Sequence, residues 1–121
     1  MNNLEITDDK QLKEIKEEFN AKFPHLKLEF FKEEHTEGQG NSLQSMYKDS
    51  LFLKDIRKNH TEGIMSINGH LKTSTFENNF KEHFGINAQV WRKAGKIWLQ
   101  TITTAHWTLT EQEERSRETE S

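Results

Sequence analysis

A chain of 121 residues with 17 basic and 20 acidic side chains has the length of a single domain, and its formal charge of −3 is too balanced for a general nucleic-acid coat or an acidic tether. The absence of cysteine excludes disulfides, thiolate zinc sites, iron–sulfur clusters and cysteine nucleophiles, and it suits a reducing compartment. Leu, Ile, Val and Phe together make up 27 residues, a little above the roughly 20% at which charged chains stop folding, so a small core is expected, carried by eight Phe with three Trp and a single valine.

Met1-Asn2-Asn3-Leu4-Glu5 lacks a basic stretch followed by an apolar one, and no later segment approaches the roughly 20 apolar residues of a membrane span; the expectation is a cytoplasmic chain with no membrane contact. Leu4 and Ile6 alternate with polar neighbours as a short strand, and Thr7-Asp8-Asp9 reads as the start of a helix over about 8–22. Leu12, Ile15, Phe19 and Phe23 give that helix one apolar stripe, and Pro24 ends it. Leu26, Leu28 and Phe30 alternate with His25, Lys27 and Glu29, the period of a half-buried strand.

Residues 32–50 thin to polar side chains and two glycines, a long loop anchored by Leu43, Met46 and Tyr47. Leu51 to Ile56 fits a short helix or a strand equally well, and Glu62 to Asn68 reads as a strand ending in the turn signal Asn68-Gly69. Ser74-x-x-Glu77 has the form of a capping box, Phe76, Phe80 and Phe84 follow at steps of four, and Gly85 stands where a left-handed cap belongs, so a second helix spans 74–84. Ile86 to Lys93 and Lys96 to Thr104 read as a hairpin. Thr108-x-x-Glu111 opens a polar C-terminal helix with no apolar residue after Leu109, so 111–121 is expected as a polar, frayed or disordered tail behind a single domain over 1–110. The order of elements suits an α+β fold with two helices on one face of a mainly antiparallel sheet, a ferredoxin-like arrangement being the nearest simple topology. No internal repeat is visible in the sequence.

The run Phe84-Gly85-Ile86-Asn87-Ala88-Gln89-Val90-Trp91-Arg92-Lys93-Ala94-Gly95-Lys96-Ile97-Trp98-Leu99-Gln100-Thr101, with Trp107-Thr108-Leu109 and the earlier Phe23-Pro24-His25-Leu26-Lys27-Leu28-Glu29-Phe30, resembles a family of short uncharacterised proteins from Bacteroidetes-type bacteria. The resemblance implies a compact autonomous domain and says nothing of catalysis. Its members carry an acidic pair just before the last tryptophan, where this chain has Ala105-His106, which weighs against a metal or cationic ligand in that loop.

None of the six histidines stands three or four residues from another, and the H-E-x-x-H pattern is absent, so no metal site is expected. Gly-x-Ser-x-Gly, a Walker loop and a dinucleotide fingerprint are absent too, and the many carboxylates read as solvated helix charge; no catalytic residue and no cofactor is assigned.

The hairpin stands apart, because Trp91, Arg92, Lys93, Lys96 and Trp98, with Trp107 close behind, mix large aromatics with cations. With Ala94-Gly95 as a two-residue turn, Trp91 faces Trp98 directly; with a three-residue loop Lys93-Ala94-Gly95, the two tryptophans fall on opposite faces, and the poor fit of alanine to positive φ favours the latter. These tryptophans either fill a core short of valine or form an interaction surface for a protein partner or a second copy, since Trp and Arg are common interface anchors. Tight nucleic-acid binding is not expected from so few cations and a negative net charge. The leading expectation is therefore a non-catalytic interaction or accessory domain acting through the hairpin face; the alternative is a small-ligand-binding protein or minor enzyme with its pocket between the sheet and the 32–50 loop.

Overall fold

The structure, a computed structural model, describes residues 2–32 and 43–119. It is a mixed α/β fold of four helices and two antiparallel sheets. In chain order these are β1 (Asn3–Ile6), α1 (Leu12–Lys22), β2 (Leu26–Phe31), a 3₁₀ turn at Leu43–Ser45, α2 (Leu53–Ile56), β3 (Gly63–Ser66), α3 (Thr73–Phe84), β4 (Asn87–Ala94), β5 (Ile97–Gln100) and α4 (Leu109–Glu118). β1 pairs with β3 alone, while the second sheet has the order β2-β4-β5. A ferredoxin-like arrangement would hold its strands in one sheet; here each strand–helix–strand unit sends its first strand to one sheet and its second to the other.

The apolar stripes expected from periodicity form one cluster. Leu12, Ile15 and Phe19 of α1 and Phe76, Phe80 and Phe84 of α3 are buried with Leu4, Ile6, Met65 and Ile67 around the small sheet and Leu26, Leu28, Phe30 and Val90 from the larger one. Phe19 stacks on Phe76 at 5.2 Å between centroids, and Phe80 meets Phe76 and Phe30 edge-on at 5.3 and 5.6 Å, so the two long helices touch through aromatic rings. Removing a ring so enclosed costs about 3–5 kcal/mol.

Helix boundaries follow local chemistry, with two departures from expectation. α1 stops before Pro24 and α3 ends on Gly85 at φ 67°, as expected. The N-cap of α1 is Gln11 rather than the Thr7-Asp8-Asp9 segment, and its N–H bonds the Glu14 carboxylate. α3 starts from Lys72, and Glu77 leaves the expected capping box to accept the Val90 N–H of β4 at 2.7 Å, because the carboxylate reaches an unpaired strand amide.

The backbone repeats although the sequence does not. Leu4 and Met65, Ile6 and Ile67, Leu12 and Thr73, Ile15 and Phe76, Phe19 and Phe80, and Phe23 and Phe84 are each 61 positions apart, and all twelve residues are buried. At that offset, and 56 for the segments that follow, hydrogen bonds match one for one. Leu12 N–H to Leu51 C=O mirrors Thr73 N–H to Trp107 C=O; Leu53 N–H to Lys10 C=O mirrors Leu109 N–H to Leu71 C=O; Lys13 to Asp49 mirrors Ser74 to Ala105; Lys54 to Asp8 mirrors Thr110 to Gly69. Two isolated bridges, Gln11 with Phe52 and Lys72 with Thr108, obey the same offsets.

These halves are related by a pseudo-twofold axis. Leu4 pairs with its own counterpart Met65, and Leu28 and Glu29 pair with Val90 and Gln89, the counterparts of each other in exchanged order. The extra pairing recurs as an isolated bridge: Met46 bridges Phe31, with Lys32 N–H to Ser45 C=O and Tyr47 N–H to Phe30 C=O, in the place that β5 takes beside β4. Arg57 and Glu113, 56 apart, each reach across to the chain that follows the long helix of the other half. Buried Arg57 donates to Phe84 C=O, Thr61 C=O and Asp8, while Glu113 accepts the His25 N–H. Two differences break the symmetry: α2 is one turn where α4 runs ten residues, and the first half inserts a long connection where the second has a tight turn.

α4 docks through polar side chains, contrary to the expectation of a frayed tail. Thr108 and Glu111 form the expected capping box, with bonds of 3.0 and 3.1 Å. Gln112, Glu113 and Ser116 are buried, and each is satisfied: Gln112 donates to Thr104 C=O and accepts from Arg92, Glu113 holds His25, and the Ser116 hydroxyl donates to Lys93 C=O. The start of α4 presses on Asn68-Gly69 so closely that a Cβ on Gly69 would stand 2.0 Å from the Thr110 hydroxyl oxygen. Residues 120–121, the end of the expected tail, lie outside the described residues.

Candidate functional site

β4 and β5 meet in a two-residue turn formed by Gly95 and Lys96, since Ala94 pairs with Ile97. Gly95 has φ 63° and open space around it, so the glycine is there for its backbone angle and not for lack of room. Both expected registers are thereby corrected. Trp91 stands opposite Gln100 and Trp98 opposite Lys93, because glycine serves the first turn position rather than the last. Trp91 and Trp98 still share one sheet face, as diagonal neighbours rather than as a facing pair.

The six residues singled out in the sequence divide between the two faces. On one lie Trp91, Trp98 and Lys93, together with Lys27 from β2, which pairs with Trp91. The Lys27 ammonium sits 5.1 Å from the Trp91 ring centroid and 5.0 Å from that of Trp98, a cation held by two aromatic rings. Behind it, buried Glu29 forms an ion pair with Lys27 at 3.4 Å and accepts from Lys16 at 2.6 Å, and Lys16 also holds Asp49 at 2.6 Å. Burial by itself would lower the Lys16 pKa, but the hydrogen bonds that its ammonium donates to Asp49 and Glu29 outweigh it and raise the value, so the ammonium stays charged. Trp91 is 92% buried, and its indole N–H has no acceptor among the described residues. Part of this pair thus behaves as core, as the plainer reading of the tryptophans has it.

On the other face, Arg92 lies over the Trp107 ring at 5.1 Å and donates to Gln112 of α4 at 2.8 Å. Its cation secures the last helix. Burial, with Arg115 nearby, lowers the Arg92 pKa. Trp107 also caps α3, its carbonyl accepting both the Thr73 N–H and hydroxyl. Lys96 is exposed at the turn, and Lys93 is exposed beside it.

Lys27, Glu29 and Lys16 were missed as members of this cluster. The alternation of β2 was legible and put Lys27 and Glu29 opposite Leu26 and Leu28, but their neighbours are set by pairing with β4, which local sequence does not encode. The pocket expected against the 32–50 loop falls largely on residues 33–42, outside the described residues. A shallow open depression is lined by Trp107, Glu111, Glu114, Arg115 and Glu118 along the outer side of α4. Among the described residues no group of three or more His, Asp or Glu could hold a metal ion, and no helix is long and apolar enough to cross a membrane.

No family model, curated protein or solved structure matches the chain.

Proposed function

We propose that the protein is a non-catalytic cytoplasmic interaction or accessory domain that binds a protein partner through its C-terminal hairpin. The observation that carries this reading is the exposure of the hairpin's second strand: Ile97 is 59% and Leu99 41% exposed, beside half-buried Trp98 and the cations Lys93 and Lys96. Large apolar side chains grouped at a surface, next to Trp and a basic rim, are the composition of interface patches.

Affinity capture from the native extract with the wild type and with the pair Ile97→Asp and Leu99→Asp tests it. A protein retained in stoichiometric amount by the wild type and lost with the double variant, whose far-UV spectrum stays native, is the expected result. Retention that ignores these substitutions places the interaction elsewhere. A single-stranded oligonucleotide bound below micromolar at physiological salt would instead give the aromatics a base-stacking role.

A further inference from the structure

β5 is an outer strand of its sheet, paired on one side with β4. Along β4, Lys93 N–H donates to His25 C=O at 2.9 Å, so residue 93 turns its backbone groups toward β2. Its register partner Trp98 therefore forms a non-hydrogen-bonded pair, and the Trp98 N–H and C=O point out of the sheet. Neither group finds a partner among the described residues. Ile97 and Leu99 project to one side of this edge, exposed, and Trp98 to the other.

Native sheets blunt such edges with proline, a bulge or a charge within the strand. The four residues of β5, Ile-Trp-Leu-Gln, carry none of these. Charge stands only at the hairpin end, as Lys96 in the turn and Lys93 across the ladder, and neither has an ion-pair partner among the described residues.

We propose that β5 is a strand-addition site for an extended acidic segment of a partner protein, which bonds the Trp98 N–H and C=O and sets its carboxylates against Lys93 and Lys96. This rests on the interaction reading above and gives that interaction its geometry. Main-chain bonds would supply affinity and the alternating Ile97, Trp98 and Leu99 side chains specificity. A second copy of the chain fits the same edge less well, because an antiparallel pair of β5 strands centred on Trp98 sets Gln100 opposite Lys96 and brings no carboxylate to either lysine.

The probe is a capped peptide of alternating glutamate and valine, titrated into ¹⁵N-labelled protein. The expected result is a shift of the residue 98 amide with at least tenfold slower hydrogen exchange, weakened by salt and at least tenfold weaker when lysine replaces glutamate in the peptide. Trp98→Pro abolishes binding by removing the outward N–H at a position where an edge strand tolerates proline, whereas Trp98→Ala, which keeps the amide, retains the protection. No binding at millimolar peptide, equal binding of the lysine peptide, or shifts around Lys27 and Trp91 without protection at residue 98 would overturn strand addition. So would a salt-insensitive dimer in sedimentation equilibrium that Trp98→Pro abolishes, which would assign the edge to a second copy. A captured protein that depends on Ile97 and Leu99 yet leaves the residue 98 amide unprotected overturns strand addition alone; capture indifferent to those residues overturns the interaction reading itself.

Discussion

Glu77 shows how one side chain can be moved from a local role to a tertiary one. Three residues after Ser74 it has the spacing of a capping partner, but its carboxyl is spent on the Val90 N–H, at the point where β5 no longer runs beside β4 and Thr101 takes the Val90 carbonyl. Burial pushes its pKa up to about 8, against the pull of the Val90 amide, while in the unfolded chain the carboxyl ionises near 4.5. Between those values the folded protein keeps a proton that the unfolded chain has released, so stability falls as pH rises through this window and levels off above it. The shift corresponds to a cost on the order of 5 kcal/mol at the upper end. Glu77→Gln keeps an acceptor for Val90 without the ionisation. Urea denaturation at pH 5 and pH 8 should show the wild type losing stability between them and the variant nearly flat; parallel curves would show that Glu77 is already ionised in the folded state.

At the scale of an element, α4 departs furthest from what its sequence implies. A helix with no apolar residue beyond Leu109 is expected to fray, since apolar burial is what usually holds a surface helix. Here buried hydrogen bonds hold it. Gln112 is fully enclosed and joins Thr73, Thr104 and Arg92, and Ser116 seals the Lys93 carbonyl. Leaving such groups unpartnered costs about 1–3 kcal/mol. Deleting residues 115–121 should therefore lower stability by about that amount, and Ser116→Ala by about 1 kcal/mol, measured by chemical denaturation. An unchanged midpoint after the deletion would mean that water replaces these bonds without loss.

At the scale of the whole molecule, the pseudo-twofold makes each half depend on the other. Among the described residues β1 has no strand partner except β3, the larger sheet is joined across the axis by β2 and β4, and Phe19 stacks on Phe76 across the same boundary. Two-stranded pieces with an open apolar face are marginal by themselves. Fragments 1–61 and 62–121 should accordingly be unfolded separately and should recover the native far-UV spectrum when mixed, with a one-to-one stoichiometry in sedimentation. A fragment that folds alone would show that the halves are independent domains. The same symmetry marks where they diverge, in the tight Gly95-Lys96 turn and the long α4, and this half carries the strand edge proposed to receive a partner.

The amino-acid sequence by itself determined the elements whose signals are local. The apolar stripes of α1 and α3, the stops at Pro24 and Gly85, the Thr108–Glu111 capping box and the alternation of β2 all depend on side chains within one or two turns of each other, so periodicity and capping chemistry exposed them. Tertiary structure decided what depends on residues distant in sequence. It divided the strands into two sheets, moved the turn by one residue and so set which residues Trp91 and Trp98 face, drew Lys27 between the two rings, and buried a polar helix. The structural repeat stayed hidden for the same reason. Burial and backbone bonding tolerate Leu for Thr or Ile for Phe at matched positions, so the two halves share their hydrogen bonds and their core pattern with little likeness of residues.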